Sequence, residues 1–177
     1  MSPPEANDQQ DQEPRKSESM EQEAQLNQQP SLILNQFLPF RLVNLAKRVS
    51  DAYSWVYDRD YGLTIPEWRI LARLGEQPGL SSKVIGEITM MDKSKVSRGV
   101  KQLEDKGLLL KNKDQQDNRV YYLSLTEEGQ QLYHTIVPSA LSWEAELLQS
   151  LDVAEYRDLF RIMEKLDKRL VELAQDT

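Results

Sequence analysis

At 177 residues the chain has room for one domain with a real core but not for two large ones. Its formal charge of −7 sets the total against nucleic acid, and the absence of cysteine excludes disulfides and thiolate metal sites. No apolar run approaches the length of a membrane span, and the opening MSPPEANDQQ lacks the basic-then-apolar order of a signal peptide, so a cytoplasmic protein with no membrane partner is expected.

Residues 1–30 set Glu5, Asp8, Asp11, Glu13, Glu18, Glu21 and Glu23 against only Arg15 and Lys16, and Leu26 is nearly their only large aliphatic side chain besides Met1 and Met20. Such a stretch cannot bury enough apolar surface to offset its ordering entropy, so a disordered acidic tail is expected. Its simplest role is solubility. The alternative is that it competes for a basic face of its own protein.

Order is expected from about Ser31. Leu34, Leu38, Leu42, Leu45, Val49, Ala52 and Val56 keep helical spacing, widened by Phe37, Tyr53 and Trp55, and Pro39 is tolerable only in the first turn or at a kink. Gly62 and Thr64 mark a turn, and Pro66, read as the first helical residue, opens a second helix carrying Ile70, Leu71 and Leu74 inward until Gln77, Pro78 and Gly79. Ser81 caps a short third helix with Val84, Ile85 and Ile88 inward.

The fourth helix, in DKSKVSRGVKQLEDKG, separates into two faces. Val96, Val100 and Leu103 form a stripe that packs, while Ser94, Arg98 and Lys101, with Ser97 beside them, lie opposite and can donate hydrogen bonds. Asp92 is its expected N-cap and Gly107 its left-handed stop, giving a length that fits a major groove. Leu108, Leu109 and Leu110 lead into Lys111 and Lys113, a polar turn follows over 114–119, and Val120 to Leu125 lead back, so a β-hairpin with a positive edge is expected. Charge is concentrated here: from Ser81 to Thr126, Lys83, Lys93, Lys95, Arg98, Lys101, Lys106, Lys111, Lys113 and Arg119 outnumber Glu87, Asp92, Glu104, Asp105, Asp114 and Asp117. A local positive face can steer a polyanion despite a negative total.

Thr126 begins a fifth helix with Leu132, Tyr133, Ile136 and Val137, with a kink or break expected at Pro138. Leu141, Trp143, Leu147, Leu148 and Leu151 continue it. Asp152 caps a last helix on which Tyr156, Leu159, Phe160, Met163, Leu166, Leu170 and Leu173 form a heptad-like stripe. His134, the one histidine, has no second metal ligand or nucleophile beside it, and no phosphate loop or nucleophile elbow occurs, so neither an enzyme nor a cofactor is expected.

The succession of Leu63-Thr64 with Trp68 and Leu71, the Lys93-Ser94-Lys95-Val96-Ser97-Arg98 run, and Asp117 with Arg119 closing on Leu125-Thr126 resembles the MarR family of bacterial transcription regulators, over essentially everything from Leu32 onward. The resemblance implies a mainly α fold with a small β-hairpin: a winged helix-turn-helix lobe over 62–126 between dimerisation helices over 31–61 and 127–177. It implies a homodimeric repressor on a pseudo-palindromic double-stranded operator, with Lys93, Ser94, Lys95, Ser97, Arg98, Lys101, Lys111 and Lys113 on DNA and Arg119 at the wing tip in the minor groove. Asp117 is expected to orient an arginine. A crevice for a small aromatic or phenolic ligand would be lined by Trp55, Tyr57, Trp68, Arg69 and Arg73, although Trp55 and Trp68 read equally well as packing. The rival is a winged-helix module that binds proteins without reading DNA, which has no need of a shared positive edge at Lys111, Lys113 and Arg119.

Overall fold

The computed structural model describes residues 30–113 and 121–175. The acidic tail over 1–29 and the turn over 114–120, with Asp117 and Arg119, lie outside the described residues.

The chain divides into two units, residues 1–46 and 47–177. The first contains a 3-10 turn, Leu34–Gln36, and the opening of helix α1, Leu38–Tyr61, which crosses the boundary. Pro39 falls in the first turn of α1, where its missing N–H removes no helical hydrogen bond. Leu34, Phe37, Leu38, Leu42, Val43 and Leu45 are exposed.

The second unit holds the core. Helix α2, Ile65–Glu76, is started by Thr64, and Pro66 is its second residue, one later than the sequence reading placed it. A two-residue strand β1, Leu80–Ser81, precedes helix α3, Ser82–Thr89, whose N-cap is the Ser81 hydroxyl. Helix α4, Lys93–Asp105, leads to strands β2, Leu109–Lys113, and β3, Tyr121–Leu125. The sheet is antiparallel in the order β1-β3-β2, with Leu80 opposite Leu123 and Leu109 opposite Leu125. The expected hairpin is therefore the larger part of a three-stranded sheet. β1 escaped sequence reading because two residues carry no period.

Ile70, Leu71 and Leu74 of α2, Ile85 of α3, Val96, Val100 and Leu103 of α4, and Leu80, Leu109, Leu123 and Leu125 of the sheet bury together with Tyr57, Leu63 and Ile136. Fully burying one such side chain contributes about 1.5–3 kcal/mol. Ile88, expected inward, is instead about half exposed, in the last turn of an eight-residue helix that stops at Met90 in the left-handed region.

Helix α5, Glu127–Leu148, runs through Pro138 as one helix, so of the expected kink or break the break does not occur. Proline removes one hydrogen bond and crowds the preceding turn, at about 3 kcal/mol. Side chains on both sides of it, Ile136 and Trp143, pack on the core, and that packing holds the helix through the defect. Helix α6, Val153–Gln175, follows a capping box: Asp152 Oδ1 accepts from the N–H groups of Ala154 (2.7 Å) and Glu155 (2.9 Å), and Glu155 Oε2 accepts from the Asp152 N–H (2.9 Å). None of its side chains is buried. Among the described residues no helix is long and apolar enough to cross a membrane.

Candidate nucleic-acid interface

The candidate reading helix is α4, and three local devices fix it. At its start Asp92 Oδ1 accepts from the Lys95 N–H at 2.8 Å. That backbone hydrogen bond, helped by the Lys95 ammonium, holds the Asp92 carboxyl below its usual range. Along its length Gly99 lets α4 lie close on α2: a Cβ there would meet Ile70 Cδ1 at 2.7 Å. At its end Gly107, at φ +72°, takes the left-handed turn into β2 without the penalty a side chain would bring.

A fourth device was missed by sequence reading. Glu67 is 1% exposed, and its carboxylate accepts from the Thr64 N–H (2.8 Å), the Thr64 hydroxyl (2.6 Å) and Lys106 Nζ (2.6 Å), while Lys106 Nζ also donates to the Gly62 carbonyl (2.8 Å). Burial pushes the Glu67 carboxyl up, but the hydrogen bonds from Lys106 and Thr64 together outweigh it and hold the group below the usual range. One buried charge thus ties the C-cap of α4 to the N-terminus of α2. The signal was present in the Thr-x-x-Glu spacing of Thr64 and Glu67, a capping box.

With the packing face of α4 inward, Lys93, Ser94, Lys95, Ser97, Arg98 and Lys101 are all exposed, as are Lys111 and Lys113 on β2. The cations are not equivalent. Lys95 Nζ lies 3.0 Å from Asp92, Lys101 Nζ 3.0 Å from Asp105, and Lys111 Nζ pairs with Glu104, which ties β2 back to α4. Among the described residues, Lys93, Arg98 and Lys113 have no carboxylate partner. Seryl and guanidinium donors next to unpaired positive charge suit base edges and phosphates.

The expected ligand residues do not all line one groove. Tyr57 is buried and stacks on Trp68, with ring centroids 5.6 Å apart; Arg69 is exposed; and Arg73 pairs with Glu76. Only Trp55 lines the groove between α1 and α5, a space of about 440 Å³ that it shares with Asp60, Tyr61, Ser142, Trp143 and Glu146 among others. Among the described residues no lysine, arginine or histidine lines it. Next to it, Tyr53 packs on Tyr57, Trp68 and Trp143. Its hydroxyl is buried without a hydrogen-bond partner, and burial, then the neighbouring Tyr57, pushes its pKa up to about 12. His134 is exposed beside Tyr133, and among the described residues no group of three or more His, Cys, Asp or Glu side chains could hold a metal.

Comparison with known proteins agrees with this geometry. A MarR family model matches residues 61–119, from the end of α1 to beyond β2. The uncharacterized HTH-type transcriptional regulator YybA of Bacillus subtilis (strain 168) is 29% identical over 93 residues, which cover 52% of this chain and 62% of that relative, so the chain spans less than two thirds of its length. The crystal structure of a MarR/EmrR family transcriptional regulator from Acinetobacter sp. ADP1 is similar at a TM-score of 0.73 and 31% identity, over 80% of this chain and 99% of that one. FabT of Streptococcus pneumoniae, solved in complex with DNA, shares the fold at a TM-score of 0.63 and 17% identity, over 77% of this chain and 96% of that one.

Proposed function

We propose, from the premise that this chain belongs to the MarR family of transcriptional regulators, that it is a homodimeric repressor binding a pseudo-palindromic double-stranded operator. The observation that carries the reading is the outer face of α4, where Ser94, Ser97 and Arg98 stand exposed, without carboxylate partners, on a helix fixed at both ends and along its length. FabT supports the use of this fold on DNA. Arg98 with the two serines reads base edges; Lys93, Lys95, Lys101, Lys111 and Lys113 contact phosphates; Arg119 reaches the minor groove.

Dimerisation is supported by α6, whose 23 residues include none that is buried and whose Tyr156, Phe160, Met163, Leu170 and Leu173 are exposed. A contiguous apolar face of that kind marks an interaction surface. Two lobes held by it would reach successive turns of the duplex.

The groove between α1 and α5 supports a small-molecule effector that lowers DNA affinity by shifting the population of lobe arrangements. Among the described residues its lining has three aromatic rings, two carboxylates and no basic residue, which favours an aromatic effector without negative charge over an aromatic acid. The test of the whole reading is selection of duplexes from random sequence by the purified chain, followed by titration at several salt concentrations. Tight, steeply salt-dependent binding to a selected site is expected. Binding that is weak and insensitive to salt removes DNA from the function and leaves the protein-binding reading.

A further inference from the structure

We infer that Glu104 and Asp105 are specificity-determining residues, which suppress binding to random DNA by keeping Lys111 and Lys101 neutralised until an operator phosphate displaces them. The inference rests on the DNA-binding reading above. Glu104 and Asp105 are the last two residues of α4, both exposed, and neither side chain caps the helix, which ends through backbone hydrogen bonds at Lys106 and Gly107. Asp105 holds Lys101 through both carboxylate oxygens, at 3.1 and 3.0 Å. Glu104 reaches across to hold Lys111 on the neighbouring strand. The two carboxylates thus cover Lys101 and Lys111, as Asp92 covers Lys95, while among the described residues Lys93, Arg98 and Lys113 stay uncovered.

Exposed pairs of this kind are weak, typically 0–1 kcal/mol each, so a phosphate placed in the right position can replace the carboxylate. A loosely docked, sliding complex does not place it there. Non-specific DNA then meets mainly Lys93, Arg98 and Lys113 along this face, beside ion pairs that carry no net charge. The operator complex gains the further contacts of Lys101 and Lys111, and with them the release of two more counterions.

The experiment compares the full chain with Glu104→Gln/Asp105→Asn and with a charge-matched control on α6, Asp158→Asn/Glu172→Gln, which also removes two carboxylates from ion pairs. The probes are random-sequence duplex and a duplex selected by the unmodified chain, each titrated against salt. On random-sequence DNA the first variant is expected to bind roughly tenfold more tightly at moderate salt. Its log–log salt slope should steepen by about 2, or about 1 for each single substitution. The selected duplex should keep its slope, so discrimination falls, and the control should change neither slope. Thermal melting checks that the variants fold, and the two single variants carry the test if the double does not. An unchanged random-sequence slope, or equal tightening on both duplexes, overturns the inference while leaving the regulator reading intact. Salt-insensitive binding of the unmodified chain to both duplexes overturns that reading itself.

Discussion

The winged-helix lobe and the last helix solve the same problem to different degrees of completion. Between Leu63 and Leu125 most apolar side chains in the regular elements, Ile88, Leu110, Tyr121 and Tyr122 excepted, pack into one core, and the one charge buried among the described residues there is held by three hydrogen bonds. Helix α6 has an equally deliberate start in its capping box and an equally regular stripe, but it buries nothing. The lobe is complete in one copy of the chain. In the homodimer proposed above, a second copy presenting the same stripe is the partner that symmetry supplies most simply.

The largest effect is expected where that contrast is sharpest. Leu166→Glu puts an unpaired carboxylate into the stripe of α6, which costs on the order of 3–5 kcal/mol in a closed interface and lowers association by two or more orders of magnitude. Sedimentation should then show a folded monomer, and operator affinity should fall with it. A monomer that still binds a palindromic duplex as tightly as the parent would end the dimeric model.

Within the lobe, Lys106→Met leaves Glu67 buried without its cation. A loss of roughly 2–4 kcal/mol is expected, below the full penalty of a buried pair because Lys106 is partly in water. Because the folded-state pKa of Glu67 is depressed, the stability it contributes is present above the usual carboxyl range and lost as pH falls through its folded value. Urea titrations should therefore show the acid-side loss in the parent and little of it in Glu67→Gln. If Lys106→Met left stability unchanged, the link between α2 and α4 would have no energetic content.

These two regions also show what a sequence reveals. The packed stripes Ile70, Leu71, Leu74 and Val96, Val100, Leu103 are plain in it because helical periodicity encodes burial directly, and Asp92 and Ser81 because caps are short-range chemistry. The pairing of Lys106 with Glu67 spans 39 residues and that of Glu104 with Lys111 joins a helix to a strand; no local pattern reports such contacts. Tyr57 looked like a crevice residue, and Trp68 read equally as crevice or packing, because aromatics carry the same signal in a core and in a pocket. The course of α5 through Pro138 was hidden for a related reason: the packing that overrides the proline is tertiary.

A smaller effect separates reading from positioning on the lobe's own surface. Arg98→Ala should cost roughly 1–3 kcal/mol on a selected duplex and little on random DNA, whereas Lys113→Ala should weaken both alike and reduce the salt slope by about 1. Competition titrations decide it. Parallel losses on both duplexes for both variants would remove the distinction between base contact and phosphate contact on this face.

The smallest effect is expected where the lobe's core meets α5, at Tyr53, and its sign is informative. The hydroxyl is buried among Tyr57, Trp68 and Trp143 without a hydrogen-bond partner, so it forfeits its hydration and gains nothing in return. Tyr53→Phe keeps the ring contacts and removes that loss, and should stabilise the chain by about 1 kcal/mol. The pH dependence follows from the same burial. A phenol whose folded-state pKa lies near 12, above its ordinary value of 10.0, contributes stability that is complete below pH 10 and is lost as pH rises toward 12, because the unfolded chain releases the proton first. The parent should therefore lose part of its stability across that alkaline window and the phenylalanine variant should lose less, as followed by chemical denaturation at a series of pH values. A Tyr53→Phe chain less stable than the parent at neutral pH would mean that the hydroxyl finds a partner in solution. The junction of α1 and α5 would then be held together by a polar contact, not by ring packing alone.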